Sequence, residues 1–135
     1  VNVSVTVIDE PACVVNGNQT IVVDFGNDMF THKVDGNNYL EGINYTLECK
    51  NSRLNTMRMQ ITGNTGTFKN KALQTSQPDL GIELRADGRT LPVNSWLNFT
   101  YPDIPKLQAI PVKNAGATLT GGEFSATATL LVDYQ

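Results

Sequence analysis

Charge is scarce in this chain. Of 135 residues, 10 are Lys or Arg and 13 are Asp or Glu, which leaves a formal net charge of −3. The charges are scattered, with no basic stripe to neutralise phosphates, so nucleic acid is not an expected partner. Long apolar runs are missing as well. The longest cover a few residues, far short of the ~20 that a spanning helix needs, so no membrane insertion is expected. No charged segment followed by an apolar one opens the chain, and for an exported protein the signal peptide is expected to be gone already. Histidine occurs once, as His32, and cysteine twice, as Cys13 and Cys49, with no CxxC pair. Those three side chains cannot complete a four-ligand zinc site. A Ser-His-Asp or Cys-His arrangement would depend on His32 alone, and His32 lies in a polar stretch beside Lys33 and Asp35 that reads as solvated loop. Asp9-Glu10 adjoins Pro11 and reads as a charged strand end. Asp24, Asp28 and Asp35 lack the spacing of a calcium loop. No catalytic residue, metal or cofactor is expected, and the chain reads as a non-enzyme. The N-x-[ST] triplets at Asn2, Asn18, Asn44 and Asn98 are common by chance in Asn/Thr-rich chains and carry no functional weight.

What is present is a period of two. The chain is 40% hydrophobic with 11 Gly and 6 Pro, a mix that suits one packed β domain at this length. Val1, Val3, Val5 and Val7 alternate with Asn2, Ser4 and Thr6. Ile21, Val23 and Phe25 form a second run, broken by Gly26-Asn27. Ile43, Tyr45, Leu47 and Cys49 form a third, whose phase puts Cys49 on an apolar face where a disulfide between layers would belong. Met57, Met59 and Ile61 alternate with Arg58, Gln60 and Thr62; Leu80, Ile82 and Leu84 follow, with Asp87-Gly88 as a two-residue hairpin turn. Leu107 to Val112, interrupted by Pro105 and Pro111, reads as an edge or kinked strand. Phe124, Ala126, Ala128, Leu130, Val132 and Tyr134 share one face. Residues 27–40 and 92–105 read as long loops. Six or seven short strands with turn signals between them predict a β-sandwich. The two cysteines either close ~35 residues in a disulfide worth roughly 3–4 kcal/mol, which implies an oxidising compartment, or remain two buried thiols.

Both ends of the chain are strongly alternating strands. Four valines on one side need a sheet to bury them, either that of their own sandwich or that of a neighbour, by β-augmentation. The tail Gly121-Gly122-Glu123-Phe124-Ser125-Ala126-Thr127-Ala128-Thr129-Leu130-Leu131-Val132-Asp133-Tyr134-Gln135 resembles the last strand of chaperone–usher pilins, in which a Gly lies fourteenth from the end and a Tyr last but one. Pro11-Ala12-Cys13, the run Gln19-Thr20-Ile21-Val22-Val23-Asp24-Phe25-Gly26, Cys49, and Gly81-Ile82-Glu83-Leu84 extend the match over nearly the whole chain. The resemblance is nearest to the minor tip and adaptor subunits of P and type 1 pili.

That resemblance implies an all-β, incomplete immunoglobulin-like sandwich lacking its last strand, with one disulfide, Cys13–Cys49. Residues 1–7 would be an N-terminal donor extension and residues 8–135 the pilin domain. Val1, Val3, Val5 and Val7 would be the donor residues. Gly122, Phe124, Ala126, Ala128, Leu130, Val132 and Tyr134 would line the acceptor groove and bind the chaperone. The implied partners are a periplasmic pilus chaperone, an outer-membrane usher and neighbouring pilin subunits or an adhesin, met in the periplasm and then in an extracellular fimbrium. Burying four valines would contribute roughly 6–12 kcal/mol as an upper bound. This chain departs from the family in one respect: twelve residues precede Cys13 and none of them is Gly. On the family pattern the extension is expected to be short or trimmed, with part of Val1 to Val7 open to belonging to the subunit's own first strand. Two other readings stand beside this one. The C-terminal domain of an adhesin would have a groove but donate nothing. A secreted lectin-like sandwich would hold a sugar at Trp96, Phe99 and Tyr101 with Asn94, Asn98 and Asp103. A secreted hydrolase is a distant third.

Overall fold

The computed structural model describes residues 2–8, 13–15, 21–24, 34, 38–49, 56–65, 68, 71–101, 103–114 and 124–134. Its strands are β1 (Asn2–Ile8), β2 (Cys13–Val15), β3 (Ile21–Asp24), β4 (Glu41–Ile43), β5 (Leu47–Cys49), β6 (Thr56–Thr62), β7 (Leu73–Gln74), β8 (Leu80–Ala86), β9 (Arg89–Thr90), β10 (Leu97–Thr100), β11 (Leu107–Lys113) and β12 (Ser125–Tyr134). One sheet runs β10-β6-β12-β1-β3; the other runs β4-β11-β8-β7 with β9 beside β8; β2 and β5 form a two-stranded ribbon. The expected all-β sandwich is present, cut into more and shorter strands than the alternation indicated.

The period of two explains which faces meet. On β6, Met57, Met59 and Ile61 are 0–1% exposed while Arg58 and Gln60 are half-buried on the other face. On β12, Ala126, Ala128, Leu130 and Val132 are buried, and Thr127 between them is exposed. Ile82 and Leu84 on β8 join Leu107 and Ala109 on β11 from the second sheet in the same core. The outer face of β8 is covered too: the Phe68 ring stands over Gly81, where an added Cβ would come within 3.0 Å of it. A side chain at position 81 would have to push that ring aside.

At the Asp87-Gly88 turn, Ala86 pairs with Arg89, and both central residues have positive φ, 51° and 83°. That is the geometry of a type I′ hairpin, for which Asp-Gly is a preferred pair.

Four expectations need correction. First, β11 is no edge strand, because it lies between β4 and β8. Asp87 N donates to Lys106 O and Asn114 N to Asp79 O, so the even-numbered residues of β11 exchange backbone bonds with β8. Pro111, odd-numbered, turns its donorless nitrogen to the other side, where pairing with β4 stops at Ala109. Proline is tolerated there because no ladder bond is lost. Second, the run from Ile43 to Cys49 is two strands in different sheets: β4 pairs with β11 and β5 with β2. Third, the Cys13–Cys49 disulfide joins directly opposed residues of that ribbon, rather than linking two layers. Fourth, the stretch 92–105 contains β10, which pairs with β6. Of the other presumed loop, only Val34 and residues 38–40 are among those described.

Candidate functional site

The C-terminal strand β12 has a neighbour on each side. On one side is β6, antiparallel, from Thr129↔Thr62 to Tyr134↔Met57. On the other is β1, parallel, from Asn2↔Ser125 to Ile8↔Leu131. The far edge of β1 pairs antiparallel with β3, from Asn2↔Asp24 to Val5↔Ile21. The first strand of the chain thus occupies a slot walled by β12 and β3.

Alternation makes the seat apolar. Val3 and Val5 are 2% and 3% exposed and lie opposite Ala126 and Ala128 on one wall and Val23 and Ile21 on the other. Two small residues on β12 leave room for two branched ones on β1. Burying two valines contributes roughly 3–6 kcal/mol as an upper bound, to which each ladder bond adds about 0.5–1.5 kcal/mol net.

The residues singled out from the sequence fall on this slot in part. Val3 and Val5 are buried in it, and Val7 is paired by its backbone with Leu130. Phe124, Ala126, Ala128, Leu130 and Val132 are all buried in the shared core, and Tyr134 is paired by its backbone with Met57. Val1 and Gly122 lie outside the described residues, as do Asp9, Glu10, Pro11, Ala12, Asp28, His32 and Asp35. Sequence reasoning did not assign the second wall, although the alternation of Ile21 and Val23 was its signal. The occupant is the alternative that the sequence left open. The resemblance implied a neighbouring polypeptide, with part of Val1 to Val7 left open as the subunit's own first strand; here residues 2–8 of the same chain complete the sheet. A segment tethered four residues from β2 meets its own slot at a far higher effective concentration than any other.

The aromatic loop does not assemble as a sugar platform. Phe99 is buried in the core. Asn94 is spent on a clamp to the end of β6: its Oδ1 accepts from Gly63 N and its Nδ2 donates to Gly63 O, each at 3.1 Å. Trp96 is exposed, but one face of its ring is covered by the Arg58 guanidinium, 4.0 Å from the ring centroid, a cation–π contact. Arg58 also reaches Asp133 on β12 at 3.5 Å. In the connection between β4 and β5, the Tyr45 hydroxyl donates to the Pro105 carbonyl, and burial, with Asp87 adding to it, holds the phenol well above its ordinary value of 10.0. Among the described residues, no group of three or more His, Cys, Asp or Glu side chains is placed to hold a metal ion.

The fimbrial protein family model matches residues 1–135. The chain belongs to the fimbrial protein family. It is 45% identical over 130 residues to the uncharacterized fimbrial-like protein YfcR of Escherichia coli K12, covering 93% of this chain and 74% of that one. It is 36% identical over 136 residues to the fimbrial-like protein YfcQ of the same strain, covering 96% and 83%. Among solved structures, that of the P pilus adaptor subunit PapF superposes with a TM-score of 0.67 at 27% identity, over 93% of this chain and 97% of that one. The immunoglobulin-like pilin fold and the Cys13–Cys49 disulfide are therefore properties of this fimbrial protein.

Proposed function

We propose that this fimbrial protein is a minor, adaptor-type structural subunit of a chaperone–usher pilus, and that the slot between β3 and β12 is where it is assembled. The observation that carries the reading is the seat of β1, a strand at the start of the chain buried through Val3 and Val5 against β12 and β3. In transit through the periplasm, a strand of the chaperone takes that seat; at the outer-membrane usher, the first strand of a neighbouring subunit or adhesin replaces it. Residues 1–7 act as the donor extension and residues 8–135 as the domain that accepts. Strand replacement forms and breaks only hydrogen bonds and apolar contacts, so no nucleophile takes part. Removing a whole buried strand at once makes escape slow, and the finished fibre is held kinetically. The likeness to the P pilus adaptor subunit PapF at 27% identity supports the adaptor-type reading.

The test is Val5→Asp co-expressed with the pilus chaperone and usher. The expected result is retained chaperone capture with loss of incorporation into surface fibres, because the variant cannot donate but its slot still accepts. Incorporation equal to that of the unaltered chain would overturn the donor role, and loss of chaperone capture would overturn the separation of donor from acceptor.

A further inference from the structure

Three sulfur atoms meet where the β2–β5 ribbon lies against β6. Cys13 and Cys49 are directly opposed and joined as a disulfide. The thioether of Met57, a fully buried residue of β6, lies 3.6 Å from Cys49 Sγ and 3.9 Å from Cys13 Sγ. A closed disulfide needs no such neighbour. Its sulfurs have their full valence, and a leucine would fill nearly the same volume. The third sulfur gains a chemical use only when the S–S bond is open.

Opening is a two-electron step. A dithiol reductant gives two electrons and two protons to the pair, becomes a disulfide itself, and leaves one thiol on Cys13 and one on Cys49. The ladder between β2 and β5 keeps those thiols facing each other. Three sulfurs bound to one ion in a trigonal plane, at metal–sulfur distances of about 2.3 Å, stand about 4 Å apart. Met57 already keeps close to that separation from both cysteines. The donor set is selective as well. Two thiolates and a thioether suit a soft monovalent ion such as Cu(I) or Ag(I), and are one ligand short of a tetrahedral zinc site. Among the described residues no His, Asp or Glu joins the cysteine pair to make three ligands, so Met57 is what completes the set. Cys13 is buried and Cys49 half-buried, so the ion arrives at Cys49. The two thiol protons leave to water as it binds.

We infer that the dithiol form of this chain carries a soft-metal site, built of Cys13, Cys49 and Met57, that holds one monovalent copper or silver ion. Metal and disulfide exclude each other, because both use the same pair of sulfurs. A chain that meets Cu(I) before oxidation is held in the dithiol form, and closing the disulfide abolishes the site. The site depends on neither β1 nor its slot, so it goes beyond the assembly reading and stands or falls separately from it.

The full chain and Met57→Leu, a volume-conserving change, are reduced with a phosphine, freed of it without oxygen, and titrated with Ag(I) or with Cu(I) held in a competing chelator. The reduced native sequence is expected to bind one ion per chain, with three sulfurs around copper by X-ray absorption, and the oxidised chain none. Loss of a ligand costs at least the roughly tenfold that loss of an outer-sphere partner costs, so Met57→Leu is expected to bind that much more weakly, with two sulfurs around copper. Equal affinity and equal sulfur count in Met57→Leu would overturn the site. So would a folded, reduced native chain that takes up no stoichiometric ion. If reduction unfolds the chain, binding and folding become one event. The ion is then expected to restore the strand signal in circular dichroism for the native sequence and not for Met57→Leu; restoration in neither, or in both alike, overturns the site as well.

Discussion

The two flanks of β12 use one pattern for different ends. Toward β6, the strand meets a partner from the body of the domain, antiparallel, with Met57, Met59 and Ile61 fully buried behind the ladder. Toward β1, it meets a strand from the start of the chain, parallel, with Val3 and Val5 facing two alanines. The same row of buried side chains, Ala126 to Val132, serves both flanks. Larger residues and an antiparallel register make one flank part of the core. Smaller ones and a parallel register mark the other, the flank that the proposed assembly would vacate.

The largest expected effect comes from the β6 flank. Met59→Ala should destabilise the whole domain by about 2–5 kcal/mol, read as a shift of the urea midpoint without a change in slope; a loss under about 1 kcal/mol would place Met59 outside the core. Val5→Ala removes buried methyl groups at the seat and should cost about 2 kcal/mol, but with a different signature. Hydrogen exchange should accelerate in β1 and at the β12 edge facing it while β8 and β11 keep their protection. Uniform acceleration across both sheets would abolish the distinction between the flanks.

Tyr45 offers a control remote from β12. Its folded value lies above its unfolded one, so the neutral phenol contributes stability that is fully present below about pH 10 and is lost as pH rises beyond that. Tyr45→Phe should remove that alkaline loss, cost about 1 kcal/mol at neutral pH through the bond to Pro105, and leave β1 exchange unchanged. An unaltered alkaline profile in Tyr45→Phe would mean that another group causes it. The smallest effect belongs to the ion pair that ties β6 to β12 on the outer face. Arg58 and Asp133 are 37% and 40% exposed, and Asp133→Asn should cost under about 1 kcal/mol and weaken the salt dependence of stability. A cost well above that would show that the Trp96–Arg58–Asp133 stack holds the flank together.

Much of the fold was legible because alternation is local. The runs around Met57–Ile61, Leu80–Leu84 and Phe124–Val132 each announce one buried face, and Asp87-Gly88 announces its own turn through the positive φ that both positions adopt. Pairing is not local, and there the sequence was silent or misleading. Nothing in Ile43–Cys49 signals that Asn44–Thr46 passes the chain from β11 to β2. Pro111 resembles an edge signal until the parity of the β11–β8 bonds shows its nitrogen facing the unpaired side. Trp96 and Phe99 resemble a binding platform in sequence, yet successive turns of the backbone send one onto Arg58 and the other into the core. One wall of the slot, Phe124–Tyr134, and the strand suited to fill it, Val1–Val7, were readable from their alternation, whereas whose copy of that strand fills it was not. Which strand sits there depends on tether length and effective concentration rather than on the pattern of either one.

The central claim is that residues 2–8 lie in the slot between β12 and β3 of the free chain. Nuclear Overhauser contacts in the purified, isotopically labelled protein test it most directly. The account predicts contacts from Val3 to both Ala126 and Val23, and from Val5 to both Ala128 and Ile21. A folded domain in which residues 2–8 show random-coil shifts and none of these contacts would contradict it.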